Sequence, residues 1–230
     1  MKFLEKYTTP GDLPKKLPVF PLTGALLLPR AQLPLNIFEP RYLQMVNDAM
    51  SGERLIGMVQ PAGAEAEYAE GNPEERPPVY PIGCAGRIIS YAETPDGRIL
   101  ITLAGVSRFR IKDELSQGEP YRVCDVDFLE FESDLEIGMG ENAVDRDALM
   151  SAFRKYLDAN RMDANWKEVE SATTEALVNT LCVISPYAAS EKQAMLEANT
   201  LSERAKILIA LTEMALASGD LSKGGPAGVQ

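Results

Sequence analysis

Apolar residues occupy every second position in much of the first half of the chain and recur every three or four positions in the second half. In RILITLAG, Ile99, Ile101 and Leu103 share one apolar face, which is typical of a strand covered on one side. TPDG joins the preceding VYPIGCAGRIISYAE to it and favours a hairpin turn, and VSRFRIKD continues extended. YRVCDVDFLEFES alternates too, but its phase slips between Phe128 and Leu129, which predicts a bulge or bend.

The most apolar stretch, LPVFPLTGALLLPRAQLPLNIFEPRY, lies near the start and is interrupted by five prolines. Prolines at this spacing prevent a membrane-spanning helix, and no small-residue cleavage site of a secretory signal follows the apolar run. We therefore expect a buried part of the fold in a cytoplasmic protein. LPVFPL and QLPLNIF predict two short strands, separated by a turn at Gly24 and a further apolar segment, ALLLP.

A helix and another strand are predicted next. Leu43, Val46 and Met50 recur at helical spacing after Pro40, which suits a first turn, and Gly52 is placed to end the helix. RLIGMVQ then predicts a strand. The following PAGAEAEYAEGNPEERPP is acidic and lacks apolar periodicity, which indicates a surface loop.

The second half predicts helices. AVDRDALMSAFRKYLDAN places Met150, Phe153 and Leu157 on one helical face. EVESATTEALVNTLCVI predicts one amphipathic helix, whose apolar stripe comprises Val169, Ala172, Ala176, Leu177, Thr180, Leu181 and Ile184.

Two further helices carry the signature of a capping box, a Ser or Thr followed three residues later by Glu or Gln. SEKQAMLEA has Ser190 and Gln193, and TLSERAKILIALTEMALASG has Thr200 and Glu203, with Gly219 placed to end the helix. The pattern as a whole predicts an α+β protein, with a β-rich part at residues 15–133 and a helical part at residues 141–218.

The composition of the chain disfavours several classes of partner and of catalytic chemistry. The chain has a net charge of −11, which disfavours nucleic acid and anionic membranes as partners. It contains no histidine, which removes the commonest general base and the commonest transition-metal ligand. Cys84, Cys124 and Cys182 are far apart and odd in number, so buried free thiols are favoured over disulfides or a zinc site.

No motif assembles an active site. The sequence lacks a phosphate-binding GxxxxGK[ST] loop, a GxGxxG after a strand and a GxSxG nucleophile turn. Ser202 and Lys206 lie four residues apart on a predicted helix, where a surface pair is favoured over a nucleophile and its base. Trp166 is expected to serve packing. We therefore predict no catalytic residues, no cofactor and no metal.

Charged pairs are present without a clear chemical role. Asp125 with Asp127, and Glu130 with Glu132, are most simply a solvated face, although such oxygens could hold Ca²⁺ weakly. Arg108 and Arg110 flank an aromatic residue, a faint version of a nucleic-acid-binding pattern that the net charge argues against.

Three segments together resemble a known family. LPVFPLTGALLLPRAQLPLNIFEPRYLQMVNDAM resembles the opening of the N-terminal domain of Lon protease, and GCAGRIISYAETPDGRILITLAGVSRFRI its hairpin region. LVNTLCVISPYAASEKQAMLEANTLSERAKILIALTEM is similar to the helical end of that domain, so the resemblance covers residues 15–216 in the same order. The FEPRY turn is the form found in free-standing bacterial members.

The resemblance implies a fold and a function. The fold would be a PUA-like β-barrel subdomain followed by an α-helical bundle, without the ATPase and peptidase modules of Lon protease. The function would be the recognition of unfolded or tagged polypeptides in connection with proteolysis, which makes the protein a non-enzymatic binding module. Two alternatives stay open, an RNA-binding PUA-like protein and a small-molecule hydrolase that uses carboxylates.

The turn between the second predicted strand and the first predicted helix is the candidate peptide-binding site. It supplies two aromatic rings, a rigid backbone and a charge on the surface: Phe38, Glu39, Pro40, Arg41 and Tyr42. Alternatively, the two rings pack inward around the helix start and serve stability.

Overall fold

A computed structural model describes residues 5–63, 77–116 and 118–218. The chain divides into two compact units, Met1–Glu136 and Ile137–Gln230. Most of the predicted acidic loop, and the predicted helix end at Gly219, lie outside the described residues.

The first unit is built on a six-stranded mixed sheet with one α-helix. The helix α1 comprises Pro40–Ser51. The strands are β1 (Lys16–Pro21), β2 (Gln32–Ile37), β3 (Leu55–Val59), β4 (Ile82–Glu93), β5 (Ile99–Leu115) and β6 (Arg122–Asp127).

The sheet closes into a ring without forming a clean barrel. The strand order is β2-β5-β4-β3-β1-β6, and β5 also pairs with β6, so five strands form the ring and β2 lies outside it. Among the strands of the described residues, only the β1–β3 pairing is parallel. The predicted α+β class is confirmed, with a more open strand arrangement than the predicted barrel.

The apolar N-terminal stretch is buried, as predicted. It supplies β1 and β2, and between them Leu26, Leu27 and Leu28 are almost completely buried without forming a strand. Gly105 of β5 faces this segment, and a side chain there would collide with the carbonyl of Leu28. The absence of a side chain at position 105 therefore lets the segment pack directly against the sheet.

The predicted hairpin between β4 and β5 is present, with Glu93 paired to Ile99 across its turn. Of the bulge or bend predicted at residues 128–129, the structure has the bend, because the strand does not run straight through these residues. The strand β6 ends at Asp127, and a 3₁₀ helix follows at Leu129–Leu135. The Asp127 carboxylate accepts a hydrogen bond from the Leu129 N–H at 3.0 Å, so the side chain that ends the strand also caps the turn.

The second unit is helical. A 3₁₀ helix at Glu141–Ala143 precedes its α-helices. These are α2 (Arg146–Asn160), α3 (Trp166–Ser171), α4 (Thr174–Ile184), α5 (Ala189–Glu197) and α6 (Leu201–Ser218). Of the predicted apolar face of α2, Leu157 is buried, and Met150 and Phe153 are half-buried.

The predicted single helix at residues 168–184 is two helices with a different buried face. Thr173 separates α3 from α4, because its hydroxyl accepts a hydrogen bond from the Ala176 N–H at 3.2 Å and starts a new helix. Thr180 and Ile184, both predicted to be inward, are exposed. The buried side chains of α4 are Glu175, Leu177, Val178, Asn179, Leu181 and Cys182.

One capping box is confirmed and the other is wrong. Thr200 accepts from the Glu203 N–H at 3.1 Å, and the Glu203 carboxylate accepts from the Thr200 N–H at 3.3 Å. In α5 the Glu191 carboxylate accepts from the Ala188 N–H at 2.8 Å, and Gln193 is buried. That helix therefore begins one residue before the predicted cap, Ser190.

Candidate functional site

The two aromatic residues of the candidate turn point in different directions, Phe38 towards solvent and Tyr42 into the protein. Phe38 is 55% exposed, whereas Tyr42 is buried. The Tyr42 ring lies 4.3 Å from the ring of Phe20, centroid to centroid, and the Arg41 guanidinium lies over its face at 4.7 Å. Tyr42 therefore belongs to the packing of α1 on the sheet, and Phe38 presents an apolar ring to solvent.

The helix start holds the polar residues of this turn. The Glu39 carbonyl accepts from the N–H groups of Tyr42 and Leu43, both at 2.9 Å, so α1 begins at Pro40. The Glu39 carboxylate is paired with Arg41 at 2.7 Å. Burial raises the pKa of the Tyr42 phenol, so that this group stays neutral at physiological pH.

Phe38 continues an exposed face of the sheet, which we call the outer face. Residues that pair across strands share a face, and Asn36 pairs with Leu100, which pairs with Ala92. Two positions further along β5, on the same face, Thr102 pairs with Pro34 on one side and with Ser90 on the other. The six residues of the outer face are Pro34, Asn36, Ser90, Ala92, Leu100 and Thr102.

None of these six side chains is charged, although 25% of the residues in the chain are charged. The next row along the same strands contains Arg87, which donates to the Tyr7 hydroxyl and the Glu53 carbonyl, both at 2.9 Å. Leu100 is 45% exposed, and Thr102 and Asn36 are half-buried. The other side of the same strands is the core side, where Ile37, Ile99 and Ile101 are buried, as the alternation predicts. An exposed sheet surface without charge is the kind of surface that contacts other molecules.

The charges beside Phe38 are paired with one another. The Arg98 guanidinium lies 5.8 Å from the centre of the Phe38 ring and pairs with Asp96 at 2.9 Å. Because Glu39 and Arg41 also form a pair, the immediate surroundings of the ring carry no net charge.

Asn36 adds an unsatisfied polar atom to the outer face. Its side-chain oxygen is buried and accepts no hydrogen bond from the described residues. A buried acceptor without a donor costs about 1–3 kcal/mol.

Four of the charged residues that the sequence analysis singled out, Arg108, Arg110, Asp127 and Glu130, form ion pairs within the first unit. Arg108 is buried against Asp134, and Arg110 pairs with Glu130 at 2.7 Å. Lys112 pairs with Asp127 at 2.9 Å. The two arginines are therefore each paired with a carboxylate, which weakens the faint nucleic-acid-binding pattern that they formed in the sequence.

The remaining candidates from the sequence are structural. The Ser202 hydroxyl donates to the Ala143 carbonyl at 2.9 Å, so it is engaged with the backbone instead of with Lys206. Trp166 packs between the Phe153 ring at 6.0 Å and the Arg154 guanidinium at 3.9 Å.

The three cysteines are free and buried. Burial raises the pKa of Cys124 to about 11 and that of Cys182 to about 12, so both stay protonated and poorly nucleophilic. Across the described ranges, no group of three or more acidic, histidine or cysteine residues could hold a metal ion. No helix in the same ranges is long and apolar enough to cross a membrane.

A cleft of about 290 Å³ lies on another side of the first unit, and no sequence pattern indicated it. Its walls include Lys16, Asp48, Glu53 and Tyr121. The Tyr121 hydroxyl donates to the Asp48 carboxylate at 2.8 Å, and Lys6 pairs with Glu53 at 2.8 Å. Two of the polar groups in its wall are thus paired with each other, and Glu53 is paired with a residue outside the wall.

Comparison with known proteins identifies the family to which this fold belongs. The family model of the ATP-dependent protease La (LON) substrate-binding domain matches residues 16–213. The chain belongs to this family. The resemblance in the sequence is thereby confirmed across both the β-rich and the helical parts.

The curated relatives are Lon proteases several times longer than this chain. That of Flavobacterium johnsoniae is 27% identical over 198 residues, which cover 84% of this chain and 23% of the relative. That of Desulfosudis oleivorans is 30% identical over 115 residues, which cover 49% of this chain and 13% of the relative. The chain thus spans about a quarter of the first relative and less of the second.

Solved structures share the fold. The N-terminal domain of Lon protease from the Mycobacterium avium complex superimposes with a TM-score of 0.63 at 18% identity, covering 86% of this chain and 98% of that domain. A Lon N-terminal domain protein from Xanthomonas campestris has a TM-score of 0.53 at 23% identity, covering 85% and 97%. At these identities the likeness shows the fold alone.

Proposed function

We propose that this protein is a non-enzymatic module that binds unfolded or tagged polypeptides, and that its contact surface is the outer face together with Phe38. The observation that carries the proposal is the uncharged, exposed sheet surface, which ends at an exposed aromatic ring. The family description, a substrate-binding domain of a protease, supports polypeptide as the ligand.

The chemistry of the surface suits apolar segments. Unfolded proteins expose apolar side chains, and removing them from water contributes roughly 25 cal/mol per Å². Phe38 and Leu100 supply apolar area, and the paired charges near the ring avoid an unpaired buried charge in the complex. Of the candidate turn, Phe38 makes the contact in this proposal, whereas Tyr42 holds the helix in place.

The wider setting follows from the same reasoning. The family match covers residues 16–213 and so includes most of the β-rich part at residues 15–133 and of the helical part at residues 141–218, which supports one functional domain at residues 15–216. Three free thiols suit a reducing compartment such as the cytoplasm. Components of proteolysis are further partners under this proposal.

Binding to an unfolded test protein checks the function. A reduced, carboxamidomethylated protein labelled with a fluorophore should bind the wild type saturably. Leu100→Glu and Phe38→Ser should each weaken this binding by about tenfold, equivalent to roughly 1.4 kcal/mol of lost apolar contact. Melting temperatures should stay close to that of the wild type, because both side chains are exposed.

Leu129→Glu is the matched control. Leu129 is 66% exposed but follows β6, whose last residue, Asp127, pairs with Arg110, ten positions along β5 from Leu100. The same introduced charge at this position should leave binding unchanged. Equal weakening by Leu100→Glu and Leu129→Glu would point to general charge repulsion, and no binding by the wild type would contradict the proposed function.

A further inference from the structure

The strand β2 leaves one edge open. Among the described residues it pairs with β5 alone, in an antiparallel register that sets Leu33 opposite Leu103 and Leu35 opposite Ile101. Just before the strand, the Gly105 N–H donates to the Ala31 carbonyl at 2.9 Å. This bond fixes which residues of β2 face β5 with their backbone.

In an antiparallel ladder, hydrogen-bonded and non-hydrogen-bonded pairs alternate. Because the pair at Ala31 is hydrogen-bonded, so are those at Leu33, Leu35 and Ile37. The backbone groups of the intervening residues therefore point away from β5. These residues are Gln32, Pro34 and Asn36.

The position of Pro34 agrees with this register. A proline has no N–H, and it is tolerated in an edge strand where that side faces away from the ladder. The open edge consequently presents three carbonyl acceptors and the N–H donors of Gln32 and Asn36. Outside the sheet, no described residue makes a backbone hydrogen bond to these three.

We infer that an extended, uncharged polypeptide segment binds as an additional strand on the open edge of β2, hydrogen-bonded to the backbone of Gln32, Pro34 and Asn36. This inference rests on the proposed function and specifies how the ligand is held. Strand addition uses the backbone for affinity and alternate side chains for selectivity. Alternate ligand residues would lie beside Pro34 and Asn36, on the outer face.

The charge distribution selects this occupant. The outer face has no charged side chain, and the charges beside Phe38 are paired, so a charged ligand residue there would lose hydration without gaining a partner. An uncharged segment incurs no such cost. Recognition through the backbone also tolerates many ligand sequences. A protein that binds unfolded polypeptides needs this tolerance, because their sequences vary.

Amide hydrogen exchange of the full chain, followed by NMR, tests the geometry. In the free protein, the amides of Leu33, Leu35 and Ile37 should be protected, and those of Gln32 and Asn36 should exchange rapidly. Saturation with the peptide acetyl-Thr-Val-Thr-Ile-Thr-Val-Thr-amide should slow exchange of the Gln32 and Asn36 amides by about tenfold or more.

A matched pair of variants isolates the backbone donor. Asn36→Ala and Asn36→Pro both remove the side chain, but only the proline removes the N–H. Asn36→Pro should bind the peptide about tenfold more weakly than Asn36→Ala, as expected for loss of one hydrogen bond. Both should keep the Leu35 and Ile37 amides protected, which establishes that the β2–β5 ladder is intact.

The outcomes separate this inference from the proposed function. Suppose that the wild type binds the unfolded test protein, but the peptide gives no new protection at Gln32 and Asn36 or binds the two Asn36 variants equally well. Strand addition is then overturned, whereas polypeptide binding still stands. Absence of any polypeptide binding refutes both. Protection at Asn36 in the free protein that disappears on dilution would assign the edge to a second copy of this chain, and would also overturn the inference.

Discussion

Arg108 and Asp134 form a buried, two-pronged ion pair that fastens the 3₁₀ helix after β6 to the middle of β5. The guanidinium donates from Nε to Oδ2 and from Nη2 to Oδ1, both at 2.8 Å, and the Arg108 N–H donates to Oδ2 at 2.9 Å. The two residues are 2% and 7% exposed. Buried charges require this degree of pairing, since taking them out of water is costly.

Removing one partner should be strongly destabilising. Asp134→Ala leaves the Arg108 guanidinium buried without its counter-charge, which should lower the free energy of unfolding by about 3–5 kcal/mol. Urea unfolding measures this loss. The neighbouring pair of Arg110 and Glu130 is a natural control, because both side chains are more than 40% exposed. Glu130→Ala should cost no more than about 1 kcal/mol. Equal losses would contradict a special role for the buried pair.

The same ion pair should determine which C-terminal truncations of the first unit stay well folded. A chain ending at Ser133 lacks Asp134 and also Leu135, which packs against the core. We expect this fragment to aggregate or to bind a hydrophobic dye, whereas a fragment ending at Glu136 should be less prone to both. Light scattering and dye fluorescence compare the two. A monodisperse, dye-negative fragment ending at Ser133 would show that the first unit does not need the pair.

Alternation predicted strands well where only one side of the strand is covered, as at the start of β5. The apolar face at Ile99, Ile101 and Leu103 is buried, and the hairpin is present. At residues 128–129 the slip in the pattern marked the bend but not its cause, which is that a polar side chain, Asp127, ends the strand through a local hydrogen bond. An alternating pattern contains no information about such a bond.

The helical stripe at residues 168–184 failed for a related reason. The apolar residues fitted one continuous helical period. The cap at Thr173, however, starts a new helix and so changes which residues face inward. Buried Glu175 and Asn179 then occupy positions that apolar periodicity cannot predict, since each is accommodated by specific hydrogen bonds. Asn179 accepts from Arg204 at 2.8 Å, for example.

The candidate surface was only partly visible in the sequence. The FEPRY turn drew attention to Phe38, whose exposure the structure shows. The rest of the outer face comes from three strands that are paired only in the folded chain, so residues as distant as Asn36 and Leu100 become neighbours. Strand register is a tertiary property, and a single sequence does not reveal it.

Asp12 should make stability depend on acid pH. Its carboxylate accepts hydrogen bonds from the N–H and hydroxyl groups of Thr8 and Thr9, which lowers the pKa of Asp12 to about 2. Because the pKa is lower in the folded than in the unfolded chain, the stabilisation is present above the unfolded value of about 3.9 and is lost as pH falls through the folded value.

The comparison of wild type with Asp12→Asn isolates this contribution. The wild type should melt at a higher temperature at pH 5, and the difference should shrink towards pH 2 as the carboxylate becomes protonated. A carboxyl titration by NMR measures the pKa of Asp12 directly. A difference between the two proteins that is constant across this range would contradict the assigned hydrogen bonds.

Substitutions of Tyr42 and Phe38 should have different effects, the first on stability and the second on polypeptide binding. Tyr42→Ser removes a buried ring packed on Phe20, so we expect a loss of about 3–5 kcal/mol in the free energy of unfolding, with the affinity of the folded fraction unchanged. Phe38→Ser removes an exposed ring, so stability should change by less than about 0.5 kcal/mol while polypeptide binding weakens. Urea unfolding and titration with the unfolded test protein, performed on both variants at a temperature where each is folded, make the comparison. If Tyr42→Ser weakened binding without loss of stability, the inward ring would be part of the contact surface and the division of this turn would be wrong.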